Sequence, residues 1–338
     1  MSVDRQRELN NVNFSKCVLM LLVVLGHCLD LWTDRGWFIY PPVFKAPILG
    51  LLADWLTSFH IYAFVLISGY VFSFLRNEKS QDNNFFPFVI KKTKRLLVPF
   101  VSTLLIWVLP FALYFFRYDR SVIIRKYILG TSPNQLWFLL MLFWVYVFGW
   151  LLNSLFKKSI VKSLVVVCCF YVIGVIGNHI TIDLFNIWSA CKYVLYFWIG
   201  YQFRYRNNLT KKVSIPIWII VDLIFFGFSR FNLGGIWGQF VVVVRHVIGA
   251  ITAFHCLDLL ANRIKWNNKR IFNVLQKYSM PMYLFHQQIV YCCISITNGK
   301  INSYINAFII YIITVCGSLL ISKIMMSTAI TRSLIGEK

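Results

Sequence analysis

The sequence predicts an all-α fold, a polytopic membrane bundle of about ten transmembrane helices with both termini in the cytoplasm. Three observations carry that expectation. The 338 residues are 59% hydrophobic and only 14% charged, whereas a soluble domain is roughly 45–50% apolar and about 25% charged. The apolar residues gather in runs of about 20, the length that crosses about 30 Å of hydrocarbon as a helix, and polar or basic connectors separate the runs. A transmembrane barrel would show alternating segments of about ten residues instead. The third observation is where the charge lies. A net charge of +22 from 34 basic and 12 acidic residues would point to nucleic acid in a soluble chain. Here most basic residues fall in alternate connectors, the distribution set by membrane topology, so no nucleic-acid partner is expected.

Taken in order, the expected spans are 14–32, 56–75, 96–116, 135–156, 160–177, 187–203, 213–229, 236–257, 271–296 and 303–326. The first follows the polar stretch MSVDRQRELNNVN, which leads into a full-length span without a small-residue cleavage site, so no signal peptide is expected. Arg76 closes the second span, the KKTKR stretch precedes the third, and Lys157 and Lys158 close the fourth. The sixth contains Lys192, and the eighth contains Arg245 and His246. The N-terminus, the even connectors and the C-terminal end hold 24 lysines and arginines against eight in the odd connectors. That bias puts both ends inside, which requires an even number of spans.

No internal repeat, low-complexity segment or long connector interrupts the chain, so residues 1–338 are expected to form one membrane-embedded domain. The nine cysteines include Cys168-Cys169 and Cys292-Cys293 inside apolar runs, and no pair has zinc-ligand spacing. They read as lipid-facing or core residues, and no metal is expected.

The polar groups at membrane depth are the candidates for chemistry. An ionisable group there costs about 2.5 kcal/mol or more on insertion scales, so it generally survives where function requires it. If Lys16 marks the cytoplasmic interface, His27 lies eleven residues and about 16 Å deeper, near the bilayer midplane and on the same helix face. Asp30 follows at i+3, where its carboxylate can hold an imidazole nitrogen and fix the tautomer. Such a histidine can act as a general base or carry an acyl group as a nucleophile; it can equally serve packing alone.

The second span, SFHIYAFVLISGYVFSF, puts His60 near its start and Ser68-Gly69-Tyr70 further in, where glycine permits close helix contact. Lys92 and Arg95, three apart in KKTKRLLVPF, read either as a topology or anionic-lipid signal or as a grip on phosphate. Trp137 opens the fourth span as interfacial belt or site wall. The ninth, KYSMPMYLFHQQIVY, combines Pro281 with His286, Gln287 and Gln288; a proline that frees backbone carbonyls beside three polar side chains suggests a water-accessible cavity. Asp222 is expected to pair with a basic residue.

In combined order these stretches resemble the acyltransferase-3 family of integral membrane acyltransferases that modify bacterial surface sugars. The segment KCVLMLLVVLGH, from Lys16 to His27, is similar to the family's basic residue, ten residues, then histidine. HIYAFVLISGY is similar to its histidine-apolar-SGY/F segment, and KTKRLLVPF to its RxxR motif before a span. The LWFL and SMPMYLFHQ stretches resemble two further landmarks. The likeness runs the length of the chain. Lys92 stands where the family carries arginine, and it lacks the bidentate fork of a guanidinium.

The resemblance implies a donor of acetyl-CoA type on the cytoplasmic side, with its phosphates near Lys16, Lys92 and Arg95, and no permanently bound cofactor. It implies His27 as the catalytic residue, either activating an acceptor hydroxyl or receiving the acyl group and passing it outward. Asp30 is assigned as its orienting partner, and His60, Ser68, Trp137, His286 and Gln287 as residues lining the site. The acceptor would be a polysaccharide, a lipid-linked sugar or a similar envelope glycan, and the location the bacterial inner membrane among its lipids. The rival reading is a secondary transporter or flippase for a lipid-linked sugar. Transporters of that kind commonly carry internal repeats, and none is visible in this chain.

Overall fold

A computed structural model of the chain describes residues 3–35, 41–79, 81, 83–206, 214–231, 234–264 and 270–337. Lys211, Lys212, Lys265, Lys269 and Lys338, counted above as topology signals, lie outside the described residues. Among the described residues the secondary structure is helical throughout. Each of the ten expected spans has a helical counterpart.

Among the described residues seven helices are long and apolar enough to cross a membrane: Gln6–Trp32, Pro47–Asn77, Phe85–Phe116, Asn134–Leu151, Ile160–Ile180, Gly235–Arg263 and Ser303–Met325. Three expected spans stand outside that group for identifiable reasons. The Ile187–Tyr205 helix carries Lys192 and Arg204, and the Ile215–Phe228 helix has only 14 residues. The Arg270–Thr297 helix is 28 residues long, but His286, Gln287 and Gln288 lower its apolarity. Those three are at most 4% exposed, so the polar face is turned inward. The chain is a multi-pass membrane protein. Its lipid-facing surfaces are apolar, as on the Ile160–Ile180 helix, where Val161, Val165, Val172 and Ile176 are exposed. Cys168 and Cys169 are exposed on that same helix, as expected of lipid-facing thiols.

The chain divides into two compact units, one of residues 1–67 and 210–320, the other of residues 68–209 and 321–338. In the first unit the Val3–Leu29 helix packs against the Arg270–Thr297, Gly235–Arg263 and Pro47–Thr57 helices. It starts about three turns of polar sequence earlier than the apolar run suggests. Asn11 explains part of this, because its amide donates to the Asp258 carboxylate at 3.0 Å and to Asn262 at 3.0 Å. At its other end the helix tightens into a 3-10 turn, Asp30–Trp32, closed by the Thr33 hydroxyl donating to the Asp30 carbonyl at 2.7 Å. The Pro47–Thr57 helix lies so close to this turn that a Cβ on Gly50 would collide with the Trp32 carbonyl.

The second expected span also begins earlier than residue 56. Its apolar run is two helices, Pro47–Thr57 and His60–Asn77, joined through Ser58 and Phe59. Pro47 sets the start, since proline suits the first helical turn and its missing N–H costs nothing there.

In the second unit the Ile187–Tyr205 helix packs against both Ile160–Ile180 and Trp137–Leu151. Gly69 meets the backbone of Phe197 where any Cβ would clash, the close helix approach that small residues permit. Around it the rings of Phe72, Phe88, Tyr146, Phe197 and Tyr201 form one aromatic cluster, with Phe72 and Phe197 5.4 Å apart. The Phe85–Phe116 helix contains three π-helical turns, Thr93–Leu97, Leu104–Val108 and Ala112–Phe116. Pro99 and Pro110 account for the first two, because each removes a backbone donor and the preceding turn widens to accommodate the ring. The connector after it, which the sequence pattern leaves without structure, forms a short helix from Arg120 to Ile128.

Candidate active site

The first unit brings His27, Asp30, His60 and His286 together. Asp30 follows His27 at i+3, and the imidazole Nδ1 lies 3.0 Å from Asp30 Oδ2. The carboxylate accepts there, so Nδ1 carries the proton and the basic lone pair falls on Nε2. Asp30 is buried, with 4% of its side chain exposed, while 23% of His27 remains open. That is the division a reactive imidazole needs: the orienting acid is shielded and the ring stays reachable.

His286 stands beside it, with ring centroids 5.2 Å apart and planes at 31°. Its Nδ1 donates to the Tyr283 carbonyl at 2.7 Å. Its Nε2 is buried and has no hydrogen-bond partner among the described residues. Leaving such an atom unpaired costs about 1–3 kcal/mol, so a group able to donate to it would be held firmly. Gln287, the next residue, donates its amide to the Tyr291 hydroxyl at 2.7 Å, and its Oε1 is likewise buried without a partner. Pro281 lies one and a half turns before His286 in the same helix. His60 Nδ1 donates to the Leu56 carbonyl at 2.6 Å. Its ring packs against Gly26, where an added Cβ would sit 3.5 Å from its Cε1.

Beyond Asp30 the charges continue in a chain that sequence reasoning missed. Arg35 donates to Asp30 Oδ1 at 2.6 Å, so the carboxylate is held from both sides, by an imidazole on one oxygen and a guanidinium on the other. Arg35 also lies 3.5 Å from Asp54, and Asp54 accepts from Arg230 at 2.6 Å. Asp54 was the available signal, an acid inside the apolar run PILGLLADWLT. Its partner Arg230 is 176 residues away, a distance that no local pattern spans.

Two cavities of about 600 and 590 Å³ flank the Asp54–Arg230 pair, each lined in part by both residues. The larger also has Arg35 and Arg245 in its wall. Asp222, expected to pair with a basic residue, instead accepts the Trp55 indole N–H at 3.1 Å. Its other oxygen is buried without a partner.

Lys16 lies on the same helix as His27 and is half-buried. The other residues singled out from the sequence belong to the second unit. The Lys92 ammonium sits 3.3 Å from the centroid of the Tyr146 ring and 5.4 Å from that of Phe88. Arg95 is 62% exposed and 4.0 Å from Glu337. The two cations, read together from the sequence as a grip on phosphate, take different partners here, and the π-helical turn Thr93–Leu97 begins between them. Burial raises the Glu337 carboxyl above its ordinary range, and Arg95 acts against that shift. Ser68 is buried in this unit at 5% exposure. Trp137 is half-buried, its ring 5.9 Å from that of Tyr193.

A family model described as an acyltransferase domain matches residues 9–325. No curated protein and no solved structure matches the chain.

Proposed function

Because the chain belongs to the acyltransferase-3 family, whose match takes in nearly its whole length, and is therefore a membrane acyltransferase, we propose that it moves an acetyl group from cytoplasmic acetyl-CoA to a hydroxyl of an envelope glycan, with His27 as general base. The observation that carries this reading is the His27–Asp30 pair, 3.0 Å apart and held from behind by Arg35. The acceptor hydroxyl gives its proton to His27 Nε2 as its oxygen attacks the thioester carbonyl. The imidazolium that forms is stabilised by Asp30. The C–S bond then breaks, the thiolate leaves and takes the proton back from Nε2. Acetyl-S-CoA and R–OH become R–O-acetyl and CoA-SH, with no other reactant. A positioned base of this kind contributes about 10²- to 10⁴-fold.

In this reading Lys16, Lys92 and Arg95 receive the phosphates of the donor, whose several charges suit dispersed cations. His60, Ser68, Trp137, His286 and Gln287 line the path of the reactants. The donor is a substrate that leaves as CoA, and no resident cofactor takes part. The acceptor is a polysaccharide or lipid-linked sugar on the far side of a bacterial inner membrane whose cytoplasmic face bears both termini, in keeping with the lysine and arginine bias. The family assignment favours this over a transporter of lipid-linked sugar.

The test uses membranes containing the protein, labelled acetyl-CoA and an envelope glycan fraction as acceptor. Label should move to glycan and free thiol should appear in equal amount. Membranes that neither release CoA nor label glycan would sink the reading, and a labelled His27 recovered without acceptor would replace direct attack by a two-step course.

A further inference from the structure

The cavity of about 600 Å³ beside the Asp54–Arg230 pair has three arginines, Arg35, Arg230 and Arg245, and one carboxylate, Asp54, in its wall. Its size lies within the roughly 300–1,000 Å³ typical of small-molecule sites. Asp54 does not satisfy the three cations. It binds one terminal nitrogen of Arg230 at 2.6 Å and one of Arg35 at 3.5 Å, and a guanidinium has five N–H donors. Asp54 therefore orients two arginines while leaving donors on each.

Arg245 is the most telling of the three. It lies in a helix apolar enough to span a membrane, where a charge is costly to keep without function. The described groups in direct contact with it include no carboxylate. It donates to the Ser229 hydroxyl at 2.7 Å, lies 3.3 Å from His246 Nε2, and sits 5.6 Å from the centroid of Phe226. Its Nε is buried without a partner, and among the described residues no carboxylate stands within 4.0 Å of it. Asp54 and Asp222 act on it only from a distance, so a cation held there has no carboxylate bonded to it.

The backbone supplies the remaining feature. The Gly235–Arg263 helix begins at the rim of this cavity, and Gly234, Gly235 and Gly238 are in its wall. A Cβ at Gly234 or Gly235 would meet nothing within 4 Å, so this surface is open for a ligand to approach the backbone. The first turn of a 29-residue helix there adds N–H donors and the positive end of its dipole. Arginine forks and helix-start amides share one preference, for an oxyanion.

We propose that this cavity is the acceptor subsite, and that it takes a sugar bearing an oxyanion, a carboxylate or a phosphate, against Arg230, Arg245 and the first turn of the Gly235–Arg263 helix. This deepens the acyl-transfer reading and rests on it. The subsite is two hydrogen bonds from the imidazole, because Arg35 in its wall bonds Asp30 and Asp30 bonds His27. An anionic acceptor anchored by its charge would carry its hydroxyls toward that end of the first helix.

The test is a saturation-transfer NMR titration of the full chain in phosphatidylcholine nanodiscs with three probes: glucuronate, glucose 1-phosphate and glucose. Both anions should bind about tenfold or more tightly than glucose, the scale of a hydrogen bond to a charged group. Arg245→Gln and Arg230→Gln should each erase most of that preference, and Arg245→Lys should keep part of it. Arg230 is 52% exposed, so its replacement is testable even if Arg245→Gln fails to fold. Equal binding of all three probes, or a preference unchanged in the glutamine variants, would overturn the proposal. So would loss of sugar binding when phosphatidylglycerol replaces part of the lipid, which would assign the cavity to a lipid headgroup. No acyl donor is present, so a protein that binds glucuronate yet never consumes acetyl-CoA would sink the enzymatic reading while upholding the anion site.

Discussion

Arg35 and Arg230 in the first unit and Lys92 and Arg95 in the second are held in opposite ways. In the first, Arg35 and Arg230 are locked by carboxylates in a chain that ends on His27, with three of its contacts between 2.6 and 3.0 Å. In the second, Lys92 rests on aromatic rings and Arg95 is largely exposed, 4.0 Å from its nearest acid. Exposed pairs of that length contribute about 0–1 kcal/mol, whereas Asp30, with 4% of its side chain exposed and a partner on each oxygen, is a buried charge that is costly to leave unpaired. The first arrangement holds a fixed geometry, which proton transfer requires. The second leaves cations able to move onto a ligand, which suits a long, flexible, multiply charged donor. Under the proposed function the difference would separate a region for chemistry from one for donor capture.

Substitutions graded by expected effect can sharpen or break that contrast. The largest after His27 itself should come from Asp30→Asn. The amide keeps the shape but can offer its N–H to Nδ1, which turns the basic lone pair away from substrate. Turnover with labelled acetyl-CoA should fall about 100-fold or more; a variant within a few-fold of the parent would remove Asp30 from the mechanism. Arg35→Gln should cost about tenfold in turnover, since it loosens Asp30 without removing it. In the second unit Arg95→Ala should raise KM for acetyl-CoA about tenfold with kcat nearly unchanged. Its thermal midpoint should barely move, given the exposed ion pair; a fall in kcat with KM constant would break the contrast. Gly50→Ala, which forces a methyl into the Trp32 carbonyl, should destabilise by about 1–3 kcal/mol, visible as a lower melting temperature in detergent.

How much of this the sequence disclosed depended on how local each feature is. His27 and Asp30 are one helical turn apart, and helix geometry alone puts their side chains within reach. The ten helices were equally accessible, because apolar length and basic connectors are one-dimensional signals. Pro99 and Pro110 were visible too, but the π-helical turns before them follow from how the chain absorbs a missing N–H. The charge chain beyond Asp30 was hidden for another reason. Arg230 meets Asp54 only because the loop after Ile215–Phe228 folds back to the Pro47–Thr57 helix. Asp222 misled for the same cause, since its hydrogen-bond donor is the indole of Trp55.

The central claim is that His27 is the base for acyl transfer. The direct test compares His27→Ala with the parent in membranes matched for protein content, following labelled acetyl groups into glycan. The account predicts normal insertion and accumulation with transfer reduced about 10²- to 10⁴-fold. Undiminished labelling of glycan by His27→Ala would contradict it.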